Sequence, residues 1–134
     1  MFVLMNTILY ICRRKHTNHH VINKMSAAKI KEHLSKELLK EHAFWSYDPS
    51  SLQDIPDEIL IEKVLVHLDL QDIDLLFSTY PFEKIKKVWR EQMVPQGDYY
   101  HTLNRFLAWW YFHIKNPDAY LKAMNTRKLN QLLK

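Results

Sequence analysis

Glycine and cysteine are almost missing from this 134-residue chain: each occurs once, as Gly97 and Cys12. A single glycine cannot build the Gly-rich loops that let backbone approach a nucleoside triphosphate or a dinucleotide, so nucleotide enzymes on those plans are excluded. A single cysteine forms no internal disulfide and, without a C-x-x-C or Cys/His ladder, no structural zinc site; a reducing cytosol is the natural setting. Long apolar runs are missing too. The opening MFVLMNTILYIC is twelve residues long, interrupted by Asn6 and Thr7, whereas a bilayer span needs ~20. Its basic RRKHTNHH follows the apolar run, the reverse of a secretory signal.

Residues 1–24 are therefore expected to be a non-structural segment, with translation starting naturally at Met25. His16, His19 and His20 there lack cysteine or carboxylate neighbours, and no metal or cofactor is expected. This segment also accounts for the charge. It carries Arg13, Arg14, Lys15 and Lys24 without an acid, while residues 25–134 hold 15 basic and 15 acidic groups, so the net +4 is not spread over the body. A basic balance confined to one end is weak evidence for nucleic-acid binding.

What is present is helix-forming: Leu, Lys, Glu, Ile and Ala dominate. From Ser26 to about His42, Ile30, Leu34, Leu38 and Leu39 recur at helical spacing. AFWSYDPSSLQD breaks that helix and places Phe44, Trp45 and Tyr47 on an irregular linker. In DIPDEILIEKVLVHL, Asp54 can cap, Pro56 suits a first turn, and Asp57 and Glu58 complement the positive end of the helix dipole. Ile59, Leu60, Val64, Leu65 and Leu68 form its apolar face.

Asp69 caps the next unit, with Ile73, Leu76 and Phe77 inward. After Tyr80-Pro81, FEKIKKVWREQMV turns Ile85, Val88, Trp89 and Met93 inward, leaving Lys84, Lys86, Lys87 and Arg90 to water. Pro95-Gln96-Gly97-Asp98 ends it and caps an aromatic helix reaching about Lys115, and Asn116-Pro117 opens a last one. No segment alternates with period two. The pattern predicts a single all-α domain over residues 25–134, a compact bundle of five or six short helices.

At ~100° per residue, Tyr99, Leu103, Phe106, Leu107, Trp110 and Ile114 share one side of the aromatic helix and are expected in the core. Trp109 and Phe112 fall roughly opposite. They are either covered by the first or last helix or form a partner-binding patch, for which exposed Trp and Phe are good anchors.

Charge is sorted along the body. Residues 48–74 carry eight acids, among them Asp48, Asp57 and Glu58, against Lys63 alone; residues 83–134 carry ten bases against four acids. Helix starts attract some of these acids, and the remainder read as an acidic surface for a basic partner. Asp72 and Asp74 point about 200° apart on a helix, and no His-x-x-x-His or Glu-x-x-His pair accompanies them, so neither a catalytic site nor a small-molecule substrate is expected. The alternative is a promoter-binding autoregulator. DLQDIDLLF, a break at STYP and then FEKIKKVWRE resemble a helix-turn-helix at residues 69–92, with Lys84, Lys86, Lys87 and Arg90 toward DNA.

LLKEHAFWSYDPSSL followed by IPDEILIEKVLVHLDLQDIDLLFSTYPFEKIKKVW resembles a family of small bacterial proteins encoded beside AbiEii-type nucleotidyltransferase toxins and taken to be their antitoxins. The similarity spans roughly residues 34–112. Its pieces are the aromatic-acidic motif Phe44-Trp45-Ser46-Tyr47-Asp48, here with Ser46-Tyr47 inserted; the I-x-x-V-L helix Ile61 to Leu65; an acidic-capped helix leading to a basic one; and an aromatic helix around Phe106-Leu107-Ala108-Trp109. The resemblance implies a cytosolic, non-catalytic partner that neutralises a cognate toxin. Phe44, Trp45, Tyr47, Asp48, Asp57, Glu58, Trp109 and Phe112 are the residues expected to meet it.

Overall fold

A computed structural model describes residues 25–44 and 55–134. Among the described residues the chain is all-α, with no strand, as its periodicity predicts. Ser26 opens α1 (Ala27–Lys40), its Oγ accepting the Lys29 amide at 3.4 Å. The other end of α1 closes through two bonds. The His42 amide donates to the Leu39 carbonyl and the Ala43 amide to the Leu38 carbonyl, both at 3.1 Å, around His42 at φ 53°. That closure turns Ala43 and Phe44 toward the core. Phe44, expected on an irregular linker, is consequently buried with Ala43.

Helix α2 (Asp57–His67) starts directly after Pro56, and α3 (Leu70–Thr79) starts at Asp69, whose carboxylate accepts the Asp72 amide at 3.1 Å. Tyr80 and Pro81 separate α3 from α4 (Phe82–Val88). The helical path does not stop at Val88: it widens into a π turn, Trp89–Met93, and then tightens into a 3₁₀ stretch, Val94–Tyr100. Within that stretch Gly97 takes φ 58° and ψ −124°, a conformation that side-chain-bearing residues avoid. Helix α5 (His101–Trp110) follows, and α6 (Pro117–Leu132) is capped by Asn116, whose side chain accepts the Ala119 amide at 3.2 Å.

One continuous apolar core draws on every helix. It includes Leu34 and Leu38 of α1, Leu60, Val64 and Leu65 of α2, Ile73 and Leu76 of α3, Ile85 and Val88 of α4, Trp89 and Met93 of the π turn, Leu107 of α5 and Leu121 of α6. The inward faces of the first four helices follow the period. Leu39 of α1 departs most and is exposed, Ile59, Leu68 and Phe77 are only partly buried, and Ile61 of α2 is fully buried.

Helix α5 departs further from expectation. Its cap is Tyr100, two residues after Asp98, and its last residue, Trp110, comes five before Lys115. Tyr99 therefore belongs to the 3₁₀ stretch, is 81% exposed, and packs edge-on against Tyr100. Leu103, Phe106, Trp110 and Ile114 are partly buried around the core rather than in it, whereas Ala108, which is not on that stripe, is fully buried.

Candidate functional site

The end of α5 builds the most distinctive surface. The Tyr111 and Phe112 amides both donate to the Leu107 carbonyl, at 3.0 and 3.1 Å, and the Ile114 amide reaches the Ala108 carbonyl at 2.9 Å, with His113 at φ 54° between them. This wide closing turn breaks the 100° step and swings the two side chains on which the sequence reading turned in opposite directions. Phe112 goes inward. Its ring lies 4.7 Å from Trp89, 5.7 Å from Phe82 and 5.9 Å from Phe77, so it is core and not a partner contact. Trp109, still on the helix, stays 56% exposed.

Trp109 stands at the edge of an open groove of about 580 Å³, lined also by Phe77, Phe82, Trp110, Tyr111, Asp74 and His113. Tyr111 stacks on Phe77 with ring centres 4.6 Å apart, and its hydroxyl donates to Asp74 at 2.9 Å. These interactions fix the groove wall. Phe82, 39% exposed, carries the Lys86 ammonium 5.8 Å from its ring centre. The groove thus presents aromatic faces and edges with one carboxylate among them, a surface suited to a partner's apolar or planar cationic side chain.

Of these residues the sequence reading singled out Trp109 alone. The helical period puts Phe77 and Trp110 on core stripes, and nothing in the local pattern marks Phe82, Asp74 or His113 as neighbours of Trp109. Their meeting depends on the closing turn after α5.

The acidic start of α2 is built differently. Asp57 is not a free patch residue: it accepts Lys31 at 3.1 Å and Tyr80 hydroxyl at 2.9 Å on Oδ1, and Lys84 at 2.8 Å on Oδ2. The Lys84 ammonium foremost, with the Tyr80 and Lys31 donors, holds its carboxyl at about 2. Burial and the adjacent Asp57 push the Tyr80 phenol up. One side chain at an N-terminus therefore ties together α1, α2, the end of α3 and α4.

Asp72 shows the opposite shift: burial raises its carboxyl above the ordinary range, although it bonds His33 Nε2 at 2.9 Å. Glu58, next to Asp57, is exposed, and neither residue belongs to the aromatic groove. Trp45, Tyr47 and Asp48 lie outside the described residues.

Along α4, Lys84 is committed to Asp57, Lys86 lies over Phe82 and Lys87 is exposed, and in the π turn Arg90 faces a second groove on the side of α6. The helix–break–helix order expected at residues 69–92 is present as α3, Tyr80-Pro81 and α4. Among the described residues no three His, Cys, Asp or Glu side chains gather as a metal site, and no helix is long and apolar enough to cross a membrane. No family model, curated protein or solved structure matches the chain.

Proposed function

We propose that this chain is a cytosolic, antitoxin-like interaction protein whose partner is a cognate nucleotidyltransferase toxin. The observation that carries the reading is the aromatic groove: Trp109, 56% exposed, stands with Phe82 and Trp110 around an open groove whose remaining walls are locked by stacking and by the Tyr111–Asp74 bond. A large indole left in water beside fixed aromatic walls has the character of an interface anchor, since such side chains bring much contact area at little entropic cost. The choice of toxin rests on the resemblance of residues 34–112. Glu58 adds charge to the same acidic region of the chain, whereas Asp57 serves the fold.

The test is co-expression with the product of the adjacent gene, followed by affinity capture and a growth assay. A stable complex and relief of toxicity are expected, both lost in Trp109→Ala. Absence of a complex with the wild-type chain sinks the reading.

A further inference from the structure

The second groove, about 440 Å³, runs between the π turn and the C-terminal half of α6. Arg90 enters it from the π turn; Arg127 and Lys128 enter from α6, with the amides of Asn125 and Gln131 beside them. Among the described residues five cations outside the groove have a carboxylate partner: Lys31 and Lys84 share Asp57, Lys36 has Glu32, Lys40 has Glu37 and Arg105 has Asp118, whereas Lys29, Lys63, Lys115 and Lys122 have none. Among the described residues no carboxylate pairs with Arg90, Arg127 or Lys128. Glu91, the groove's one acid, stays beyond ion-pairing distance of all three. Lys87, one helical turn before Arg90, is also exposed and extends the line of charge.

Three unpaired cations converging on one groove repel each other, and folding has not relieved that repulsion internally. An anionic ligand would relieve it. Two arginines with amide donors nearby match phosphate oxygens, which accept paired N–H bonds, better than they match a scattered carboxylate surface. The groove holds no aromatic ring on which unstacked bases could lie, the platform that single-strand binding uses.

From this we infer that the groove between the π turn and α6 binds the phosphate backbone of duplex nucleic acid, through Arg90, Arg127 and Lys128, without reading sequence. This surface is distinct from the aromatic groove and does not depend on the antitoxin reading.

The test measures binding of the full chain to a fluorescently labelled 20-base-pair DNA duplex between 50 and 200 mM salt, with a single strand of equal length and a poly-glutamate peptide as competitors. Three phosphate contacts contribute about −2.7 to the slope of log affinity against log salt, which is about 40-fold over that range. The triple variant Arg90→Gln/Arg127→Gln/Lys128→Gln is expected to lose that contribution. The charge-matched variant Lys29→Gln/Lys63→Gln/Lys115→Gln, whose lysines lie outside the groove, is expected to keep it. An unchanged slope in the first variant, equal losses in both, or no binding to duplex at 50 mM salt overturns the inference. So does competition by the single strand or poly-glutamate as strong as that by unlabelled duplex; the poly-glutamate result would assign the groove to an acidic protein segment.

Discussion

The indole Nε1–H of Trp89 donates to Oδ1 of Asn104 at 2.9 Å in the interior of the bundle. Asn104 in turn donates from Nδ2 to the Met93 carbonyl at 3.3 Å, at the end of the π turn. A single amide, 2% exposed, thereby satisfies a buried ring donor and a backbone acceptor at opposite ends of that turn. Removing it leaves both without partners, and each unsatisfied group costs about 1 to 3 kcal/mol. Asn104→Leu is expected to lower unfolding free energy by roughly 2 to 6 kcal/mol by the same count, with urea denaturation as the measurement. A change under about 0.5 kcal/mol would mean that the site re-forms its bonds another way.

Phe112 and Trp109 are three residues apart and should behave as opposites. Phe112→Ala empties a space bounded by Trp89, Phe77 and Phe82 and is expected to cost roughly 3 to 5 kcal/mol. Trp109→Ala removes an exposed ring and should move stability by no more than about 0.5 kcal/mol while abolishing capture of the toxin. Thermal melts read the first pair of numbers and affinity capture the second.

Acid should weaken the fold through Asp57. Its carboxyl, at about 2, lies below the ordinary 3.8, so its contribution is complete above about 4 and is lost as pH falls toward 2. The network is partly open to water, which screens it, so Asp57→Asn is expected to cost only about 1 kcal/mol at pH 7. The variant should also show a flatter fall in melting temperature between pH 4 and 2 than the wild type. Parallel curves would remove Asp57 from the acid response. Asp72 works the other way. Its raised carboxyl favours the fold when protonated, and that contribution fades as pH climbs through the raised value, so Asp72→Asn should cost least near neutral pH.

Gly97 gives a backbone prediction. At φ 58° and ψ −124° a Cβ added there would have nothing within 4 Å, so Gly97→Ala meets no steric neighbour and only the conformational penalty. A loss of about 1 to 3 kcal/mol is expected in chemical denaturation, and a neutral result would mean the stretch adopts another turn.

The first four helices were legible because their apolar residues keep one period from cap to end. Asp69 was recognisable as a cap, and Ile85, Val88, Trp89 and Met93 as core. The period fails beyond the π turn, where the backbone stops stepping by 100°: in the 3₁₀ stretch with Gly97 and in the closing turn around His113. These two departures shift the start of α5, expose Tyr99, bury Phe112 and assemble the aromatic groove. Asn104 was overlooked as a polar residue, although it sits one turn before Leu107 on the buried side. Phe44 was misplaced because two backbone bonds at the end of α1, with no signature residue to announce them, fold it inward.

The π turn holds one residue more than an α-helical path between the same two points would need. Deleting a single residue between Trp89 and Met93 would restore ordinary helix and rotate all that follows by about 100°. Asn104 would then face away from the Trp89 indole, and the walls of both grooves would come apart together.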